Sequence, residues 1–301
     1  MKFRFRLLLV IVFIGLYLCL PTQISDRNIY YVKDEKVFTG QLAATRISSF
    51  FNKFQPGTGL IELFQWQAPF INTKEVLALE DGDNMNWGCV DKENNRLFAI
   101  ISNSKNNTYN IVEYVSGQKN IIKNIDKNEY YYNLQYYNNK LYYYQKNTEN
   151  EDKCGVTSLD LSTGVSKIEL KNYNDEFVVC NNLLIFQKED GDKTKNIYCL
   201  DNDGEIKILV ENASSLAKLD DNTILFLRND RKNICSYNLK TNEIKTVGLN
   251  DSRRWMSPVI IVDNDYYITK KLVVSYDVLS KYTVNDFKGG MLVLPYVDTI
   301  F

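Results

Sequence analysis

The chain has 301 residues, 36 Lys+Arg against 37 Asp+Glu, a formal net charge of -1, and no histidine. Near-neutrality argues against nucleic-acid binding, which needs a basic face to displace counterions from phosphates. The missing histidine excludes a Ser-His-Asp triad, a Cys-His pair and a His-ligated zinc or haem, so any catalysis falls to carboxylates, Tyr, Lys, Arg, Cys or a hard metal. A hydrophobic content of 45% with 13% aromatics excludes a disordered chain.

The first element in chain order is basic and then apolar. Lys2, Arg4 and Arg6 precede an unbroken apolar run from Leu7 to Leu20. This is the layout of a signal or signal-anchor segment, with the cations kept inside and the rest carried out. The residues around Pro21 offer no small-x-small cleavage site, so an uncleaved anchor over 1–27 is the first expectation and a cleaved signal the second. Residues 28–301 then hold 32 basic and 36 acidic side chains, net -4, which does not favour anionic lipid or DNA. Cys89, Cys154, Cys180, Cys199 and Cys235 follow the apolar run, an odd number with no CxxC. Most sit in β-like runs and read as small buried apolar side chains.

Beyond the N-terminus a unit of about forty residues recurs. Asn94-Asn95-Arg96-Leu97-Phe98 returns as Asn138-Asn139-Lys140-Leu141-Tyr142, then as Asn181-Asn182-Leu183-Leu184, Asp221-Asn222-Thr223-Ile224 and Asn264-Asp265-Tyr266-Tyr267. Anchored on Leu97, Leu141, Leu184, Ile224 and Tyr266, the steps are 44, 43, 40 and 42. A second pattern follows it: Val156 to Ile168, Asn196 to Ile208 and Asn233 to Lys245 each alternate apolar and polar residues about a polar turn. Gly164, Gly204 and Asn242 stand where such a hairpin needs a positive φ.

Four strands per unit predict an all-β fold, a six-bladed β-propeller with seven blades as the alternative, preceded by the N-terminal membrane anchor or signal helix. Five units run at about 84–124, 125–171, 172–211, 212–248 and 249–286. A sixth is expected from strands at 28–38, 60–66 and 75–80, completed by Met291 to Val297 so that the ring closes. Residues 41–54 have a helical look and are expected as an insertion. The Tyr131–Tyr144 aromatics are expected mainly to fill the wedge between twisted sheets.

The Asn-Asn-x-Leu-Tyr-Tyr strand and the Ile-Tyr-x-Leu-Asp-x-x-Gly hairpin resemble bacterial extracytoplasmic six-bladed propellers of the TolB-like and low-density-lipoprotein-receptor-like kind, over roughly 84–286. The resemblance implies an exported, membrane-attached protein and says little about function. Repeated Trp-Asp pairs, a kelch glycine series and a sialidase box are all missing from the sequence.

Ligands of such folds meet the loops that lead from each outermost strand to the next innermost one, here about 80–87, 124–130, 171–176, 211–215 and 248–256. Two of these loops carry the candidate site. One holds Asp81, Asp83, Asn86 and Trp87; the other holds Arg253, Arg254 and Trp255. Two guanidiniums beside a Trp suit a carboxylate or a sugar. Asp81 and Asp83 suit calcium, although the charged loops and Trp side chains also read simply as solvated turns and structural plugs. No metal and no cofactor is expected. The functional expectation is a non-catalytic module at the cell envelope that binds an envelope protein or glycan, tied to the membrane by its N-terminal segment. The alternative is a carboxylate- or calcium-dependent carbohydrate-active or lactone hydrolase on the channel face.

Overall fold

The computed structural model describes residues 2–19, 21–33, 35–45, 70–91, 93–173, 176–191, 194–201, 203–228 and 233–249, with short strand segments between 260 and 293. One helix, α1 (Lys2–Cys19), precedes six four-stranded antiparallel sheets. In the first, β1 (Pro21–Lys33), β2 (Lys36–Thr45) and β3 (Phe70–Ala78) lie in chain order. The C-terminal β24 (Leu292–Val293) pairs with β1 through Tyr31–Val293 and Val32–Leu292.

The second sheet is β4 (Asp83–Asp91), β5 (Arg96–Asn103), β6 (Thr108–Val115) and β7 (Gln118–Asn124). The third is β8 (Glu129–Tyr137), β9 (Lys140–Asn147), β10 (Gly155–Asp160) and β11 (Ser166–Lys171). The fourth is β12 (Phe177–Cys180), β13 (Leu183–Glu189), β14 (Lys195–Leu200) and β15 (Ile206–Val210). The fifth is β16 (Ala213–Asp220), β17 (Thr223–Arg228), β18 (Asn233–Asn238) and β19 (Glu243–Leu249). The sixth is β20 (Ile260–Ile261), β21 (Tyr266–Thr269), β22 (Leu272–Ser275) and β23 (Lys281–Thr283).

The repeat has a backbone basis. Asn138 and Asn139 take φ +47° and +59°, and Asn181 and Asn182 take +50° and +60°. Two consecutive left-handed residues make the two-residue hairpin turn whose twist matches the strands it joins, and Asn tolerates that region. Gly164, Gly204 and Asn242 have positive φ at the hairpins between third and fourth strands. The pairing of those two strands slips at the same place in four successive sheets: Ile111/Val112, Val156/Thr157, Ile197/Tyr198 and Ile234/Cys235. A bulge of this kind bends the strand and increases its twist.

Four apolar cores lie between consecutive sheets. Val37 and Leu77 meet Met85, Val112 and Tyr114 between the first and second. Phe98, Ile100 and Ile111 meet Tyr131, Leu134 and Tyr143 between the second and third. Tyr144 and Val156 meet Phe177 and Phe186 between the third and fourth, and Ile185 and Ile197 meet Ile224 and Phe226 between the fourth and fifth. Each fully buried large side chain contributes about 1.5–3 kcal/mol relative to exposure. The Tyr131–Tyr144 aromatics are core material here: the Tyr131 and Tyr143 rings stack at 4.6 Å and Tyr132 lies 4.3 Å from Tyr144. Cys89, Cys180, Cys199 and Cys235 are buried in these cores as thiols outside any disulfide, and Cys154 is half-buried.

The closed propeller, with six or seven blades, is corrected. The described strands form six separate open four-stranded sheets, and none of the described apolar cores joins the sixth sheet to the first. The membrane anchor is corrected too. Three of the first five residues of α1 are cationic, and charged side chains are costly in the apolar core of a bilayer. Among the described residues no helix is long and apolar enough to cross a membrane. The membrane localisation and the membrane as a partner lose their basis with it. Residues 41–45, expected to open a helical insertion, belong to strand β2, and Lys36-Val37-Phe38 belongs to β2 rather than sharing a strand with Asn28. The rest of the insertion and the strand at 60–66 lie outside the described residues.

Candidate functional site

The end of the second sheet is built by the start of β4, the β5–β6 hairpin and the connection from β7 to β8. Asn103, the last residue of β5, knots this end. Its Oδ1 accepts the backbone N–H of Lys105 and Asn106, both at 3.0 Å, and its Nδ2 donates to Asp83 Oδ1 at 2.8 Å. Ser104 N donates to Gly82 O at 3.0 Å, and Ile125 N donates to Tyr109 O at 2.8 Å. These bonds pin the two loops that border an open cleft of about 920 Å³.

The cleft is lined chiefly by amides and hydroxyls. Asn84 and Asn86 come from β4, Asn107 and Thr108 from the β5–β6 hairpin, and Asn124 from the end of β7. Asp126, Lys127, Glu129 and the exposed Tyr130 come from the following connection and the start of β8. Asn110, in β6, also lines it. This residue is only 8% exposed, and its carboxamide makes no hydrogen bond among the described residues. Its polar atoms stay open to the cleft, so a ligand can reach them without breaking an internal hydrogen bond.

Two carboxylates occupy matching places at the starts of the first strands of the second and third sheets. Asp83 opens β4 and faces Asn103 across the pair; Glu129 opens β8 and faces Asn147. Asn147 repeats the knot of Asn103, accepting Glu149 N at 3.0 Å and Asn150 N at 2.8 Å and donating to Glu129 at 3.3 Å. The surroundings then diverge. Asp83 pairs with Lys119 Nζ at 2.6 Å, which also holds Glu80 at 2.8 Å. Burial first, then the charges of Asp83 and Glu80, push the neighbouring Tyr114 phenol up. Glu129 receives only neutral donors: Tyr131 Oη at 2.7 Å, Gln145 Nε2 at 3.0 Å and Asn147. Tyr131 is likewise pushed up, by burial first and then by Tyr143 and Glu129.

The sequence-derived candidates separate. Asn86 lines the cleft and donates to Ser102 Oγ at 3.2 Å. Asp81 is exposed and pairs with Lys105, while Asp83 turns inward to Lys119, so two different lysines answer the two carboxylates. Among the described residues no group of His, Cys, Asp and Glu is arranged to hold a metal ion. Trp87 is half-buried against the core between the second and third sheets. Arg253, Arg254 and Trp255 lie outside the described residues. The loops expected at 80–87 and 124–130 do meet at one cleft. Sequence reading missed Asn110 and Glu129. Asn110 is one more Asn in an Asn-rich chain, while Glu129 matches Asp83 only once both are seen to open the first strand of their sheets.

No protein-family model and no curated protein matches the chain. Among solved structures it is similar to TolB from Acinetobacter baumannii, with a TM-score of 0.55 and 12% identity over 85% of this chain and 62% of that one. It is also similar to an oligogalacturonate lyase from Vibrio parahaemolyticus, with a TM-score of 0.51 and 10% identity over 83% and 72% of the two chains. A puromycin-hydrolyzing peptidase from Mycobacterium tuberculosis gives 0.51 and 9% over 86% and 45%. The chain thus spans less than two thirds of the TolB chain. At such identities the likeness concerns the fold alone. The resemblance to TolB-like propellers is corrected to an all-β domain loosely related to TolB, lyase and peptidase folds. The envelope-anchored propeller module, its envelope protein or glycan partner and the channel-face hydrolase all presupposed the ring or the anchor and are withdrawn.

Proposed function

We propose that this all-β chain is a binding domain without catalytic activity, whose site is the cleft at the end of the second sheet and whose ligand is small and polar. The observation that carries this reading is Asn110, buried, lining the cleft and unpartnered. A carboxamide offers two donors and an acceptor at once, which suits a ligand with several hydroxyl or amino groups. Asn84, Asn107 and Asn124 repeat that chemistry on the walls, and Tyr130 adds an aromatic face at the rim. Amides and hydroxyls bind without moving protons at neutral pH, which favours recognition over acid–base chemistry.

The test is a screen of polar fragments by NMR on the full chain with labelled Asn side chains. Fragments that bind are expected to shift the Asn110 and Asn84 carboxamide signals and to lose at least tenfold in affinity in Asn110→Leu. Fragment hits that leave both signals unmoved, or that bind Asn110→Leu equally well, would reject the cleft as the site.

A further inference from the structure

We infer that Glu129 makes the cleft selective for a ligand carrying an organic ammonium group. This rests on the reading of the cleft as the binding site and adds the chemical class of the ligand.

Two carboxylates in equivalent strands of neighbouring sheets differ in their charge partners. Asp83 and Glu129 each open the first strand of a sheet, each is buried, and each is held by the Asn that ends the partner strand. A buried carboxylate needs a counter-charge or a full set of donors. Asp83 has its counter-charge inside the fold, in Lys119 at 2.6 Å. It does not line the cleft, whereas Glu129 does.

Glu129 has three neutral donors and no ion pair among the described residues. One donor reaches Oε2 and two reach Oε1, which leaves one of about four acceptor positions on the carboxylate. The nearby Lys123 is committed elsewhere: its Nζ lies 5.3 Å from the centre of the Tyr131 ring and bonds Tyr143 Oη and Ser166 Oγ, both at 3.2 Å. At the rim Asp126 adds a negative charge and Lys127 a positive one, so the three charged groups lining the cleft sum to -1. Asn110 supplies the independent sign that the cleft is built for a ligand, being buried and unpartnered in the same wall. An ammonium donates up to three hydrogen bonds and brings the charge that Glu129 lacks, while Asn110 accepts through its carboxamide oxygen.

The test uses 1,3-diamino-2-propanol against glycerol, two probes of one skeleton that differ only in ammonium or hydroxyl at each end. Calorimetry and Asn110 side-chain NMR are run on the full chain and on Glu129→Gln, which keeps the shape and removes the charge. The expected result is a preference of at least tenfold for the diamine, reduced to threefold or less in Glu129→Gln while glycerol affinity is unchanged. Equal binding of both probes at the Asn110 signals, or a preference that survives Glu129→Gln, overturns the ammonium assignment and leaves the cleft in place as a site. Failure of both probes to move the Asn110 signals overturns both readings. If Glu129→Gln unfolds, Lys127→Ala gives the second measurement. It removes a competing cation and is expected to tighten the diamine about two- to threefold without affecting glycerol, and no change there rejects the charge argument.

Discussion

Arg96 of β5 and Tyr136 of β8 tie the second sheet to the third: Arg96 Nη2 donates to Tyr136 Oη at 3.1 Å, and the guanidinium carbon lies 5.5 Å from the Tyr136 ring centre. The same guanidinium holds Asp91 at 2.7 Å and Glu113 at 3.3 Å and lies over Phe98. Replacing Arg96 by Lys keeps the charge but loses the planar fork. Arg96→Lys is expected to lower unfolding free energy by about 1–3 kcal/mol, read from urea midpoints. A change within error would mean that solvent already satisfies Asp91.

Asp91 gives the molecule an acid limit. Burial alone would raise its pKa, but hydrogen bonds from Asn94, Arg96 and Tyr136 outweigh that and hold it below its ordinary value of 3.8. A group depressed on folding stabilises fully above its unfolded pKa, and the contribution fades as pH falls through the folded value. Urea midpoints are therefore expected to drop below about pH 4, and to drop less steeply in Asp91→Asn. Parallel pH curves for the two proteins would assign acid sensitivity to other groups.

Tyrosines set the alkaline limit. Tyr142 is pushed up to about 12, by burial first and then by Glu169 and Tyr137, and Tyr114 and Tyr131 are raised as well. A raised folded pKa makes the sign opposite to that of Asp91. The stabilisation is complete below the unfolded value near 10 and is lost as pH climbs through the folded value. Absorbance titration is expected to show a late group of phenols that ionises together with loss of far-ultraviolet strand signal. Full ionisation by pH 10.5 in the folded protein would contradict it.

Gly155 opens β10 with φ +145°, and a Cβ there would collide with the Leu170 carbonyl of the neighbouring strand. Gly164 sits in a hairpin with φ +70° and open space around it. Gly164→Ala is expected to cost about 1 kcal/mol, while Gly155→Ala adds backbone displacement and is expected to cost about 2–4 kcal/mol. Thermal midpoints measured side by side decide the order, and equal losses would refute the clash.

The edge of β12 that no described strand pairs is capped by a side chain. Gln135 of β8 donates to Phe177 O at 2.7 Å and accepts from Val179 N at 3.1 Å, in the manner of a neighbouring strand. Gln135→Leu strands Val179 N and leaves Phe177 O only the longer bond from Asn133 Nδ2 at 3.3 Å, and is expected to cost about 1–3 kcal/mol. It should also speed amide exchange at Val179 ahead of global unfolding. Unaltered exchange there would show that water serves that edge equally well.

The sequence by itself determined the repeating strands and their turns. Alternation of apolar and polar residues sets which face is buried, and Asn and Gly at fixed offsets supply the positive φ that each hairpin demands. That is local chemistry, written in neighbouring residues. It also singled out the 80–87 and 124–130 loops, which border one cleft with Asn86 in its lining, since a repeat fixes which loops share one end. Tertiary structure decided the rest. Lys119 lies far from Asp83 in the chain, and only packing chose it as that carboxylate's partner, leaving Asp81 to Lys105. Glu129 was hidden in the repeat because the β4–β5 turn, at 92–95, is longer than the Asn138-Asn139 turn, which offsets the two carboxylates relative to Leu97 and Leu141. The ring and the anchor were over-read for the same reason. A period fixes how many sheets form, but junctions between sheets and the fit of a helix to a bilayer depend on distances that no local pattern encodes.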